Sequence, residues 1–144
     1  MMEPSVLFKI ANSVALVGWL LMALAPRWKG TDFVVHKGLL PLGLALLYAI
    51  LFVVTFGTGK GDFSSLAGVK QLFSNDWILL VGWVHYLSFD MFVGSWCLRD
   101  SWNRGISHWL MLPILFFTLM LGPVGYLLYS ILAAFFQPKA ESNA

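Results

Sequence analysis

Charge is scarce in this chain. Asp, Glu, Lys and Arg make up 11% of the 144 residues, 9 of them basic and 7 acidic, against about 25% in a typical globular protein. A soluble domain of this size exposes much of its area and needs charge to cover it, so the composition argues against a water-soluble monomer. Cysteine is nearly absent. Cys97 stands alone, which excludes an internal disulfide and every multi-cysteine zinc or iron–sulfur motif. The net charge of +2 comes from scattered residues and gives no basic surface for nucleic acid. Internal repeats and low-complexity segments are also missing. What is abundant is apolar: 59% of residues, 12 Phe and 7 Trp among them, with a mean hydropathy of +0.79. Disorder is incompatible with these proportions. The expected class is an all-α integral membrane protein.

Four apolar stretches carry that expectation, at about 6–25, 39–56, 77–96 and 109–136. A hydrocarbon core about 30 Å thick takes about 20 helical residues, so each is long enough to cross. The expected fold is one transmembrane domain over 1–144, a four-helix bundle. Pro26 to Gly30, Gly57 to Gly61 and Arg99 to Gly105 break the chain between spans, and Pro113 and Pro123 provide for a kink in the fourth. Between the second and third spans, Asp62 is placed to cap a short amphipathic helix bearing Phe63, Leu66, Val69, Leu72 and Phe73. It reads first as a loop anchored to headgroups and second as a lid over a lipid-facing cavity. Ala23-Leu24-Ala25 resembles a signal-peptidase site, but Glu3, a long apolar run and Pro26 argue for an uncleaved span. With no Arg/Ser-rich transit peptide, the expected location is a bacterial inner membrane. Arg27, Lys29, Lys37, Arg99 and Arg104 fall on one side, and Lys60, Lys70 and Lys139 on the other. The positive-inside rule then puts both termini outside the cytoplasm.

The third span holds the residues most suited to chemistry. On a helical wheel Leu80, Val84, Leu87 and Met91 share one side and suit lipid, while Gly82, His85, Tyr86, Phe89, Asp90, Val93 and Gly94 occupy the arc expected to face protein. A mid-span aspartate costs about 2.5–3.5 kcal/mol on insertion scales. It therefore needs a task or a partner, such as Asn12, Ser13, Tyr126 or Arg99. Asp90, His85 and Tyr86 could act as acid and base in a water-poor slot; otherwise Asp90 locks the helices together. Gly122-Pro123-Val124-Gly125 opens the fourth span for a flat ligand or for close packing, with Tyr126 on the following turn. Trp19 and Trp83 lie deeper than the other tryptophans, and with Tyr86, Phe89 and Phe92 could line a slot for a polyene, ordinary packing being the alternative. His36 and His108 stand at span ends, where side chains reach headgroups. No pair of His or carboxylate residues has metal-ligand spacing, and no cofactor is expected.

Several of these residues form a pattern: Gly68-Val69-x-x-Leu72-Phe73, Trp83-Val84-His85-Tyr86-Leu87-x-Phe89-Asp90-x-Phe92-Val93-Gly94-x-Trp96, Arg99-Asp100, Gly105-Ile106-x-His108 and Gly122-Pro123-x-Gly125, with Pro26-x-Trp28, Pro41 and Tyr48 before them. The pattern resembles the abscisic-acid-deficient type membrane proteins, the neoxanthin-synthesis family of plants with bacterial and cyanobacterial relatives. The resemblance implies four transmembrane helices and, in plant members, a need in converting violaxanthin to neoxanthin. Opening an epoxide to an allenic alcohol takes an acid at the oxygen and a base at a vinylic proton. The expected function is binding and isomerisation of a carotenoid-like polyene, with Asp90, His85 and Tyr86 catalytic and Trp83, Phe89, Gly94, Gly122, Pro123, Gly125 and Tyr126 binding the ligand. Expected partners are the bilayer, a polyene or isoprenoid, and a second copy or a membrane enzyme. The alternative is a non-catalytic subunit that stabilises or localises a carotenoid or isoprenoid enzyme.

Overall fold

A computed structural model describes residues 3–138; Lys139, counted above for orientation, lies outside them. The described residues form helices and loops, with no strand among them. Helix α1 is Pro4–Leu24, α2 is Lys29–Thr31 running into a π-helical turn Asp32–His36, α3 is Leu39–Thr55, α4 is Leu66–Leu72, α5 is Asp76–Asn103, α6 is His108–Leu121 and α7 is Pro123–Ala133. Three segments are long and apolar enough to cross a membrane: Pro4–Leu24, Lys29–Thr55 and Asp76–Asn103. The fourth apolar stretch is divided. Gly122 turns the chain with a φ of +36°, and Pro123, lacking an N–H, serves as the first residue of α7. Pro113 sits inside α6 without ending it.

The described chain forms two compact units, one of residues 3–16 with 40–89 and one of 17–39 with 90–138. Helices α1 and α5 supply residues to both.

In the first unit, Ala11, Ala15, Leu44, Leu51, Leu80, Val84 and Leu87 are buried. Polar bonds tie its helices. Ser88 Oγ donates to the Pro41 carbonyl at 2.9 Å, and Trp83 Nε1 donates to Asn12 Oδ1 at 3.1 Å. The short helix between the second and third apolar stretches is present, but Asp62 is not its cap. Ser65, extended at φ −143° and ψ 154°, is the residue adjoining the first helical turn, and its Oγ accepts the Gly68 N–H at 3.0 Å. Asp62 instead closes a turn, accepting from Ser64 N at 2.8 Å and Ser64 Oγ at 2.6 Å. These bonds hold its carboxyl below the usual aspartate range. Their contribution is full above the ordinary aspartate pKa and is lost as pH falls through the lowered one.

The second unit is built around the end of α1. A helix terminus leaves carbonyls without intrahelical donors, and three side chains reach them here. His108 Nε2 donates to Ala23 O at 2.8 Å, Thr31 Oγ1 to Ala25 O at 2.7 Å and His36 Nε2 to Pro26 O at 3.1 Å. His36 is buried, with Nδ1 2.8 Å from Ser95 Oγ. The two histidines therefore clamp a helix end and do not reach out to headgroups. Asp100 Oδ2 accepts from Tyr129 at 2.5 Å and from Arg104 Nε at 2.6 Å, while Arg104 Nη1 donates to Phe136 O just beyond α7.

The faces of α5 are the reverse of those expected from its polar residues. Leu80, Val84, Leu87 and Met91 are 0–4% exposed, whereas Phe89 and Phe92 are 58% and 57% exposed. The buried series continues through Gly94, Ser95 and Leu98. Leucine and methionine at alternating three- and four-residue spacing interlock with facing helices, with small residues between them. The broad aromatic rings of the other arc stay outside.

Candidate functional site

The first unit contains a cavity of about 380 Å³, within the range of small-molecule sites. Helix α3 lends one wall through Tyr48, Phe52 and Thr55, and α5 another through Ile78, Val81, Gly82 and His85. The loop from Phe56 to Phe63 and the end of α4 at Leu72 and Phe73 complete it. Tyr48, Phe52 and Phe56 are four residues apart, so a helix sets their side chains on one face. Gly57 and Gly61 let the loop turn back, at φ +76° and +112°. Gly82 leaves room for the Phe73 ring, which a Cβ there would meet at 2.6 Å. This contact brings the α4 segment against the cavity, the arrangement of a covering element.

Polar groups in the cavity are few. Thr55 Oγ1 donates to Leu51 O at 2.8 Å, so the Tyr48 hydroxyl and the His85 imidazole are the lining side chains with hydrogen-bonding capacity to offer a ligand. Their rings are 5.3 Å apart between centroids, and the Phe89 ring lies 4.8 Å from that of His85. His85 lies nine residues into α5, about 13 Å from its start at the helical rise.

The other expected site residues fall elsewhere. Trp83 packs on Phe8 and on the half-buried Tyr86, each at 5.3 Å, and lines a separate cavity with Phe8 and Asp76. In the second unit the Asp90 carboxylate lies against Gly122. A methyl group added there would stand 2.6 Å from Oδ1 and 3.0 Å from Oδ2. This is the N-terminus of α7, where the helix dipole favours negative charge. Gly94 accommodates Trp19, whose ring a Cβ would meet at 2.6 Å, and Gly125 accommodates Thr118. Pro123 starts α7. Tyr126 is half exposed, its ring 6.2 Å from that of Trp96. The slot expected at Gly94, Gly122 and Gly125 is thus filled by Trp19, Asp90 and Thr118. The glycines allow close packing of the chain on itself. Sequence reasoning missed the walls formed by Phe52, Phe56 and Phe73. The four-residue spacing of Tyr48, Phe52 and Phe56 was the available signal.

A family model described as ABA DEFICIENT 4-like matches residues 6–129. Protein ABA DEFICIENT 4, chloroplastic, of Arabidopsis thaliana is 27% identical over 112 residues, covering 72% of this chain and 49% of that protein. The chain therefore spans about half the length of this relative, whose name places it in the chloroplast; a bacterial inner membrane gains no support from it. No solved structure matches.

Proposed function

The chain belongs to the ABA DEFICIENT 4-like family, and on that premise we propose that it is an integral membrane protein that binds a carotenoid-like polyene and isomerises it by acid–base chemistry. Membrane insertion is supported by the three long apolar helices, whose most apolar windows are only 28%, 22% and 44% buried. Such outward apolar surface suits hydrocarbon and not water. In this reading α6 and α7 together make the fourth crossing.

The observation that carries the functional reading is the aromatic cavity around Tyr48 and His85. It is too small for a whole carotenoid and suits one terminal ring with the start of the conjugated chain, the remainder running out among lipid tails. His85 is the proposed proton-handling group, with Phe89 beside it. An epoxide on the ring would be opened as a proton reaches its oxygen, the C–O bond breaks and a proton leaves the neighbouring vinylic carbon. The product has the composition of the substrate, so no redox partner is needed.

Pigment analysis tests this reading. Cells that make epoxy-carotenoids and express this chain are expected to accumulate a pigment of unchanged mass and shifted absorption, and the purified protein to carry polyene. Bound polyene with an unchanged pigment profile would replace the enzyme by a non-catalytic subunit. Neither product nor bound pigment would contradict both.

A further inference from the structure

The second unit has a cavity of its own, about 630 Å³, between the end of α1 and the start of α6. Its walls include Arg27, Trp28, Trp102, Ser107 and His108. The Arg27 guanidinium lies over the Trp102 ring, 5.4 Å from its centroid, a contact that fixes its position and leaves its N–H edges available. The acidic residues of this unit's connecting segments are engaged elsewhere: Asp32 pairs with Lys37 at 3.4 Å, and Asp100 with Arg104 at 2.6 Å. Arg27 is thus a positioned cation in a walled cavity. Ser107 precedes α6, yet its side chain makes no capping bond, so its hydroxyl too is available. His108 is held by Ala23 and serves as wall.

We propose that this cavity binds the phosphate of an anionic lipid headgroup, with Arg27 as the principal contact and the Ser107 hydroxyl as a second. A guanidinium presents a planar fork that matches two phosphate oxygens. The rings of Trp28 and Trp102 suit the glycerol and first acyl carbons, as indoles do at a membrane boundary. The site is separate from the polyene cavity and takes from the reading above only that this end of the helices lies at a lipid–water boundary.

The test uses the full chain in detergent, titrated with short-chain phosphatidylglycerol, short-chain phosphatidylcholine and inorganic phosphate. Phosphatidylglycerol is expected to bind most tightly. Arg27→Gln should weaken it by about tenfold or more, the scale of one charge-assisted contact. Lys37→Gln, which removes a cation already paired, should leave it nearly unchanged. Arg27→Lys keeps charge without the fork and should fall between; it also decides the matter if the Gln variant fails to fold. Equal binding of phosphatidylglycerol and phosphatidylcholine, or Arg27 variants that bind like the wild type, would overturn the site. Inorganic phosphate binding as tightly as the lipid would overturn the lipid source. Release of the chain from membranes by alkaline carbonate would defeat the membrane reading itself, whereas an embedded chain without lipid preference defeats only this site.

Discussion

His85→Gln is expected to lower turnover of an epoxy-carotenoid by about 10²-fold or more, the usual scale for a lost acid–base group, while the protein melts as the wild type does. His85 lies in the aromatic cavity, its ring close to Tyr48 and Phe89. Glutamine keeps much of its volume and can hold a hydrogen bond, but it moves no proton. Its exposed position makes a large loss of stability unexpected. Product formation and polyene binding, measured on the same purified variant, separate two roles. Binding retained with turnover lost marks a proton-handling residue. Binding and turnover lost together would reduce His85 to a recognition group.

Gly122→Ala is expected to be the most destabilising single change in the second unit. At φ +36° an L-residue is strained, at a cost of about 1–3 kcal/mol. The added methyl group would also press on the Asp90 carboxylate at 2.6 Å, and overpacking of this kind costs a similar amount. A total near 3 kcal/mol should appear as a markedly lower melting temperature in detergent. Adding Asp90→Ala to the Gly122→Ala background should recover the contact part and leave the strain. Asp90→Asn alone separates the carboxylate's two possible tasks. A carboxylate serving the start of α7 would lose about 0.3–1 kcal/mol, the worth of a charge at a helix terminus, with turnover kept. Lost turnover with unchanged melting would instead return Asp90 to the chemistry. Its absence from the cavity lining favours the first outcome.

The helices were legible because a membrane-length apolar run needs only counting. The predicted stretches at 6–25 and 39–56 end within about two residues of α1 and α3. The third was cut short at Trp96 because Arg99 and Asp100 looked like loop. They remain helical to Asn103, with Arg104 and Tyr129 engaging Asp100. The segment 26–38 was read as a loop from its charge, yet 29–36 is helical, and Thr31 and His36 on it supply the bonds that finish α1. Tertiary satisfaction of carbonyls leaves no local sequence signal. The faces of α5 were inverted because polarity was taken to mark the inside. In an apolar solvent, shape sorts side chains more strongly than polarity does, so the Leu80–Val84–Leu87–Met91 stripe packs and the aromatic arc turns outward. The glycines of the fourth stretch gave the break correctly, but their space belongs to Trp19, Asp90 and Thr118. Of the expected catalytic residues, His85 alone lines the aromatic cavity, beside a tyrosine from α3.

Photolabelling gives the most direct test that this cavity receives the polyene. A carotenoid analogue with a photoreactive group on its terminal ring would be bound to the purified protein, irradiated, and located by peptide mass spectrometry. Label is predicted on the segments 48–56 and 72–85, suppressed by excess unlabelled carotenoid and by Gly82→Leu, whose side chain would intrude on the cavity beside Phe73. Saturable label concentrated instead around Trp96, Gly122 and Tyr126, with those two segments unmarked, would contradict it.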